Sequence, residues 1–330
     1  MRVLSVVVGA CALHTVGMAS TKGATAFVTG AGGFIGTELI KVLRARGHHV
    51  LGLAESEGDA QRVSRAGAVP VMGRLLEPGR WQDEAAADWV FHLSSHAECA
   101  ARTTRKHAEA LGRARLSMDA HLLDAVAAGA TRKIVYLAHT GFYGATGERP
   151  ITEDEPCLPS AWGSSFAPAL DRLEGYVAAG LPIVTAFSAW VYGNASWFCE
   201  RVVEPVTTRR RVLQFGSPGP RVSVIHVEDC ARALVHLAER GESGGRYFVV
   251  NTEPVWLDEL AGTFARLAGL PLRVWRVPSA ATRLLVGPVL ADYLQADAVF
   301  SNIRLRGTGF QFRYPTLEDG LRQVMEAGHE

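Results

Sequence analysis

Gly30, Gly33 and Gly36 recur at three-residue spacing in Phe27-Val-Thr-Gly-Ala-Gly-Gly-Phe-Ile-Gly36. That spacing suits one chemistry, the cradling of a phosphate by backbone N–H groups. Gly30 permits a tight turn, Gly33 lets the backbone approach a pyrophosphate, and Gly36 lets the following helix pack closely on the preceding strand. Phe34 and Ile35 fall where the first N–H groups of that helix would face the anion. Glu55 is a second candidate, at the end of the next apolar run. Its carboxylate could accept hydrogen bonds from a ribose 2′-hydroxyl and would repel a 2′-phosphate, which favours NAD(H) over NADP(H). A third candidate group, Ser94, Ser95 and His96, ends another apolar run, at the sheet edge where open parallel sheets bind ligands.

The elements that must position these residues follow from periodicity. Ala24 to Val28 is an apolar strand, and Phe34, Ile35, Leu39, Ile40, Val42 and Leu43 mark an amphipathic helix after the turn. Val50, Leu51 and Leu53 mark a second strand ending at Glu55. The pattern then predicts a helix over Asp59–Ala66, a strand over Val69–Met72, a helix over Glu77–Ala87 and a strand over Trp89–Leu93. A long helix from Lys106 to Ala128 and a fifth strand, Lys133–Ala138, complete the first half. Repeated strand–helix alternation specifies an α/β fold, a doubly wound parallel sheet with helices on both faces.

With 330 residues, 48% of them hydrophobic, the chain can build one large α/β domain and a smaller lobe. Thirty-four basic residues against 33 acidic ones leave no field to attract nucleic acid or anionic lipid. The Arg209-Arg210-Arg211 run reads as a solvated loop. The 5 cysteines are scattered and form no CxxC spacing, which argues against a disulfide framework and a zinc site, and no metal is expected. No uninterrupted apolar run has the length of a membrane span. Residues 1–23 read as an N-terminal extension. Val3 to Val16 with Gly17-Met-Ala19 resembles an export signal, but Met18 is a natural start for a chain whose first strand begins at Ala24. An enzyme using a dinucleotide draws on a cytosolic pool, so a cytoplasmic location is expected.

Several further pieces make a more specific pattern. Thr29-Gly-Ala-Gly-Gly-Phe-Ile-Gly36, Val90-Phe-His-Leu93, Thr140-Gly-Phe-Tyr-Gly144 and Trp190-Val-Tyr-Gly193 are followed by Ile225-His-Val-Glu-Asp229 and Tyr314-Pro-Thr-Leu-Glu-Asp-Gly-Leu321. In this order the chain resembles an extended or atypical extended short-chain dehydrogenase/reductase, of the NAD-dependent epimerase/dehydratase superfamily. The resemblance implies a Rossmann domain over 24–190 and 211–251, and a smaller, mostly C-terminal substrate lobe over 191–210 and 252–330. It implies a strand near Val222–Ile225, a helix Asp229–Glu239 and a strand Arg246–Val250 returning to the sheet, with His226 and Asp229 matching an element that fastens the lobes. It also implies a small-molecule substrate and, by analogy, a homodimer.

The resemblance breaks at the reacting centre. Hydride-transferring members share a Ser or Thr, a Tyr, and a Lys four residues after the Tyr, which together orient and protonate the reacting oxygen. The serine position holds His139, with Thr140 beside it and Tyr143 four residues on. The Tyr-Lys helix should be Ser164 to Glu174. Anchoring on Glu174 puts Phe166 and Leu170 at the Tyr and Lys positions, whereas anchoring on Gly163 puts Trp162 and Phe166 there. Neither register recovers a Tyr or a Lys, and no lysine follows Lys133. His139 is either a replacement acid or base, its free pKa lying near neutrality, or a residue that only fills the gap. Arg74 stands where relatives carry an acidic residue for the adenine edge; it cannot accept a hydrogen bond there but could stack on the ring. His96, Phe166, Trp190 and Tyr192, with Trp162, Trp197 and Phe198, suggest an apolar, aromatic or polyketide-like substrate. The expected activity is an NAD(H)-dependent reduction that does without the Tyr-Lys relay. The alternatives are a non-redox isomerase, cyclase or dehydratase using His139, and a catalytically silent dinucleotide-binding protein.

Overall fold

The computed structural model describes residues 23–94, 103–127, 129–147, 149–215 and 219–327. The strands are β1 (Thr25–Thr29), β2 (His49–Ala54), β3 (Val69–Met72), β4 (Trp89–His92), β5 (Lys133–His139), β6 (Ile183–Ser188) and β7 (Trp190–Tyr192). They continue with β8 (Arg211–Phe215), β9 (Arg221–Val222), β10 (Val224–His226), β11 (Arg246–Val249), β12 (Val255–Trp256) and β13 (Arg273–Val277). The helices are α1 (Phe34–Ala45), α2 (Glu57–Ala66), α3 (Trp81–Glu84), α4 (Arg105–Ala127), α5 (Ala161–Ser164) and α6 (Ala167–Ala178). The later ones are α7 (Val227–Arg240), α8 (Leu257–Leu267), α9 (Ser279–Val286), α10 (Pro288–Leu294), α11 (Ile303–Gly307) and α12 (Leu317–Ala327).

Seven strands form one parallel sheet in the order β11-β6-β5-β4-β1-β2-β3, the doubly wound Rossmann arrangement. Because successive side chains point to opposite faces, each strand feeds two cores. Ala26 and Val28 of β1 join the cluster holding Leu39, Ile40 and Leu43 of α1 and Leu234 and Leu237 of α7. Phe27, between them, faces the opposite layer with Trp81, Leu122 and Leu123 of α4 and Leu173 of α6. Burial on both faces is why these strands read as continuous apolar runs. A third core, around Phe198, Val224, Leu260, Phe264 and Leu321, lies outside the central sheet. Among the described residues no helix is long and apolar enough to cross a membrane.

Four sequence expectations change. The helix over Glu77–Ala87 shrinks to α3, because Pro78 disfavours helical backbone at Glu77. The helix expected from Ser164 to Glu174 is two helices interrupted at Ser165–Phe166, where Pro168 starts α6 with no N–H for a carbonyl one turn back. The Val222–Ile225 stretch does not return to the central sheet: β9 pairs with β12, and β10 pairs in parallel with β7. Arg211–Phe215, assigned above to the Rossmann segments, pairs along its whole length with Arg273–Val277 and so belongs with the later part of the chain.

Candidate active site

At the end of β1 the chain turns at Gly30 with φ +65, a left-handed conformation that glycine adopts without cost. A Cβ on Gly36 would lie 2.1 Å from the Gly30 carbonyl oxygen, so only glycine allows α1 to sit so close to the turn. The Gly33 N–H donates to that carbonyl at 3.0 Å, and Gly33 caps α1 without a side chain. No acidic residue lies in the first turn of α1. The first-turn N–H groups of Phe34, Ile35 and Gly36 therefore have no intrahelical acceptor and no competing carboxylate. This cradle fits a pyrophosphate. Ser94 lies directly against it: a Cβ on Gly30 would be 3.0 Å from the Ser94 nitrogen. Ser95 and His96 lie outside the described residues.

Glu55 follows β2 and is exposed, but its charge is opposed. The Arg74 Nε is 4.0 Å from its carboxylate, and Arg74 also pairs with Glu77 at 3.1 Å. A second guanidinium, not anticipated from sequence, stands nearby. Arg62 donates to the Gly32 carbonyl at 2.9 Å and pairs with Asp59, itself packed against Gly32. On sequence alone Asp59 and Arg62 read as an ordinary helix-surface pair.

At the other end of the site, His139 terminates β5 inside an aromatic box. Its ring stacks on Phe142 (4.6 Å, 15°) and meets Phe166 edge-on at 5.1 Å and Trp162 at 6.3 Å. Both ring nitrogens are buried and have no hydrogen-bond partner. Burial, helped by the Arg115 charge, pushes the His139 pKa down to about 3, so the ring is neutral at physiological pH. Trp162 and Phe166 both face this ring, whereas Leu170 lies in the core between α6 and the sheet.

Two residues named as site candidates prove to be core. Tyr143 is buried between Phe248 (4.8 Å) and Phe187 (5.2 Å), and its hydroxyl faces the Glu153 carbonyl at 3.5 Å together with the Arg246 and Cys157 side chains. Burial raises its pKa far above the ordinary tyrosine value. Tyr192 is fully buried beside Phe198 and His226, with its hydroxyl against Gly320. Both rings fill the core, and neither is exposed at the surface. Trp190 is half-buried and stacks on Tyr293 (5.6 Å, 20°). His226 and Asp229 start α7. The Asp229 carboxylate accepts the Arg313 and Tyr314 N–H groups at 2.8 and 2.7 Å, and His226 Nε2 meets Gln323 at 3.0 Å.

A small cleft with ≈ 10 Å³ of accessible space lies in front of the β5 end, lined by Thr140, Gly141, Gly144, Ser160, Tyr293, Ala296 and Ala298. A larger open depression around Gln214, Trp256 and Asp258 contains none of the candidate residues.

Beneath both ends lies a buried polar network. Asp119 Oδ1 sits 2.8 Å from His92 Nε2 and accepts from Arg115 Nε at 2.7 Å, while Tyr136 donates to Oδ2 at 2.7 Å. His92 Nδ1 is 2.7 Å from the Thr29 hydroxyl oxygen, which accepts the Leu93 and Ser94 N–H groups. Arg115 also donates to the Ser94 carbonyl at 2.7 Å and the Leu137 carbonyl at 3.3 Å. Burial disfavours the Asp119 carboxylate, but the Arg115 charge and the His92 bond outweigh that and hold its pKa below the usual range. The network ties the carboxyl ends of β4 and β5 together next to the glycine turn. Its only trace in the sequence is the four-residue spacing of Arg115 and Asp119, which looks like a surface pair. Among the described residues no group of three or more His, Cys, Asp or Glu side chains could hold a metal.

The model of the NAD dependent epimerase/dehydratase family matches residues 26–251. The chain belongs to that family. It is 26% identical over 269 residues to the 4-hydroxy-2-methyl-3-oxo-4-farnesyl-3,4-dihydroquinoline-1-oxide ketoreductase of Stigmatella aurantiaca, covering 78% of this chain and 77% of that one. It is 27% identical over 307 residues to the 3-diazoavenalumate denitrifying reductase of a Streptomyces species, covering 89% and 98%. Among solved structures, human epimerase family protein SDR39U1 with NADPH superposes with TM-score 0.74 at 22% identity, covering 92% of this chain and 99% of that one. MoeE5 in complex with UDP-glucose and NAD gives TM-score 0.76 at 22% identity, covering 92% and 98%. These two solved structures share the overall fold of this chain.

Proposed function

We propose that the protein is a nicotinamide-dependent reductase of an apolar, planar aromatic or polyketide-like small molecule, working without a Tyr-Lys proton relay. The observation that carries this reading is the aromatic box. Trp162 and Phe166 occupy the space around His139 where a proton donor would stand, while the glycine cradle is complete. When bound, the cofactor supplies hydride. The chain's own residues bind the pyrophosphate through the N–H groups after Gly33, line the reacting face with the rings of Trp162 and Phe166, and donate no proton from α6. Lacking a general acid typically costs about 10²–10⁴ in rate with an ordinary ketone. The reading therefore favours substrates whose acceptor is already electron-poor, such as quinoid or conjugated systems, with the proton arriving from solvent. Two curated relatives named as reductases of a dihydroquinoline oxide and a diazo compound are consistent with such acceptors.

The non-redox alternative draws less support, because a His139 held near pKa 3 is a poor general acid at neutral pH. We assign NAD(H) as the preferred cofactor on the strength of Glu55, with the preference narrowed by Arg74. The substrate side is assigned to residues 191–210 and 252–330, joined by Arg211–Phe215 through its pairing with β13. The test is a fluorescence titration with NADH and NADPH, followed by measurement of cofactor oxidation against a panel of quinones and aromatic ketones. A protein that neither shifts nor quenches the fluorescence of millimolar NADH and NADPH would end this reading.

A further inference from the structure

The Arg209-Arg210-Arg211 run leads into β8, which pairs only with β13 among the described residues. The register sets Arg211 beside Arg273 and Leu213 beside Trp275. Paired residues share a sheet face, so these four side chains form one surface, while Val212 and Gln214 of β8 turn to the interior. On that surface Leu213 is 59% and Trp275 55% exposed, and the Arg211 guanidinium lies 4.9 Å from the Trp275 ring centre. Among the described residues, Arg209, Arg210, Arg211 and Arg273 form no ion pair, in a chain whose acidic and basic residues nearly balance. Behind the sheet, Asp258 and Glu259 are already engaged, by the Gln214 amide at 3.0 Å and the Trp256 N–H at 3.2 Å. Like charges side by side on neighbouring strands are destabilising, and a parallel sheet is ordinarily covered on both faces. An anionic cover relieves both costs.

The edge of β13 sets the form of that cover. Arg273 donates its N–H to the Arg210 carbonyl at 2.9 Å, so alternation along the strand turns the Val274 and Arg276 N–H groups away from β8. Arg273 to Arg276 are all exposed, and no third strand lies beside them among the described residues. An unpaired edge is a template for another strand. A bilayer would cover the rings and leave those backbone groups without partners. A second copy joined edge to edge would bring the arginines of both copies together.

We propose that the β13 edge docks an acidic, extended peptide segment of a partner protein, added as a third strand with carboxylates facing Arg273 and the Arg209–Arg211 run and an apolar side chain against Trp275. Main-chain hydrogen bonds to Val274 and Arg276 supply affinity, and the arginines select the sign of the partner's charge.

The probe is the capped, fluorescently labelled peptide Ser-Glu-Val-Phe-Glu-Val-Ser, with its counterpart carrying Lys in place of Glu, titrated by anisotropy against the full chain. The wild type should bind the acidic peptide about tenfold more tightly than the basic one, and the preference should shrink as salt is raised. The double variant Arg211→Glu, Arg273→Glu should lose that preference. Val274→Pro removes an outward N–H without touching the pairing with β8 and should weaken the acidic peptide about fivefold. Melting temperatures confirm that both variants fold. Amide exchange on the wild type, which needs no variant, should show the Val274 and Arg276 amides protected when the acidic peptide is added. Equal binding of the two peptides, or binding with neither amide protected, overturns the proposal. So does binding to phosphatidylserine vesicles without binding to the peptide, or self-association in sedimentation that Val274→Pro abolishes while the peptide fails to bind.

Discussion

Replacing His139 by Phe should stabilise the protein, and the gain should grow as the pH falls. In the wild type both ring nitrogens are buried and unpaired, and leaving such a group unsatisfied costs about 1–3 kcal/mol. Phenylalanine keeps the stack on Phe142 and the edge contact with Phe166 and removes that cost. At pH 7.5 we expect His139→Phe to be more stable by about 1–2 kcal/mol. The pH dependence follows from linkage. The unfolded chain takes up the His139 proton near the ordinary histidine value of about 6.5, the folded chain only near about 3. Between those values the unfolded state binds more protons, so wild-type stability falls as pH falls, by about 1.4 kcal/mol per pH unit once below 6.5. The Arg115 charge, carried from α4, acts in the same direction as burial. His92 and His226, whose pKa values are also lowered by burial, titrate in both proteins and cancel in the difference. Urea denaturation of both proteins at pH 7.5, 6.5 and 5.5 measures it. A stability gap that stays constant with pH, or a variant less stable than wild type, would refute the argument. Retention of kcat/KM in the same variant would separately exclude His139 as acid or base.

Three other changes probe the rest of the site. Glu55→Gln removes the charge that opposes a 2′-phosphate and should shift the NADPH-to-NADH affinity ratio about five- to tenfold toward NADPH, with Arg74→Ala shifting it the other way; paired fluorescence titrations read both. Asp119→Asn leaves the Arg115 guanidinium buried without its carboxylate and should cost about 3–5 kcal/mol, measured by urea denaturation. Gly36→Ala places a Cβ on the Gly30 carbonyl and should abolish NADH binding while lowering stability by about 1–3 kcal/mol, unless α1 shifts without disturbing the turn.

Most of the fold was legible in the chain because the central Rossmann strands are buried on both faces and most helices on one. That burial forces long apolar runs and a clear helical period, and β5, for instance, lies within a residue of where the pattern put it. The misreadings came where proline overrode that period. Pro78 shortened α3, and Pro168 split the helix expected to carry a Tyr-Lys pair. Short strands were also misplaced, since a two- or three-residue run such as β9 or β10 has too few side chains to declare its partner.

The site divides along the same line. Glycine spacing and its strand–helix setting are local properties, so the sequence by itself determined the cradle at Gly30, Gly33 and Gly36, and it determined that neither register of the Ser164–Glu174 stretch puts a Tyr or a Lys at the relay positions. Burial and charge pairing depend on residues far apart in the chain, so they were decided only by the tertiary structure. It closed Tyr143 and Tyr192 into the core and set Arg74 against Glu55. It brought Arg115 of α4 to the ends of β4 and β5, where its charge adds to the burial that keeps His139 neutral.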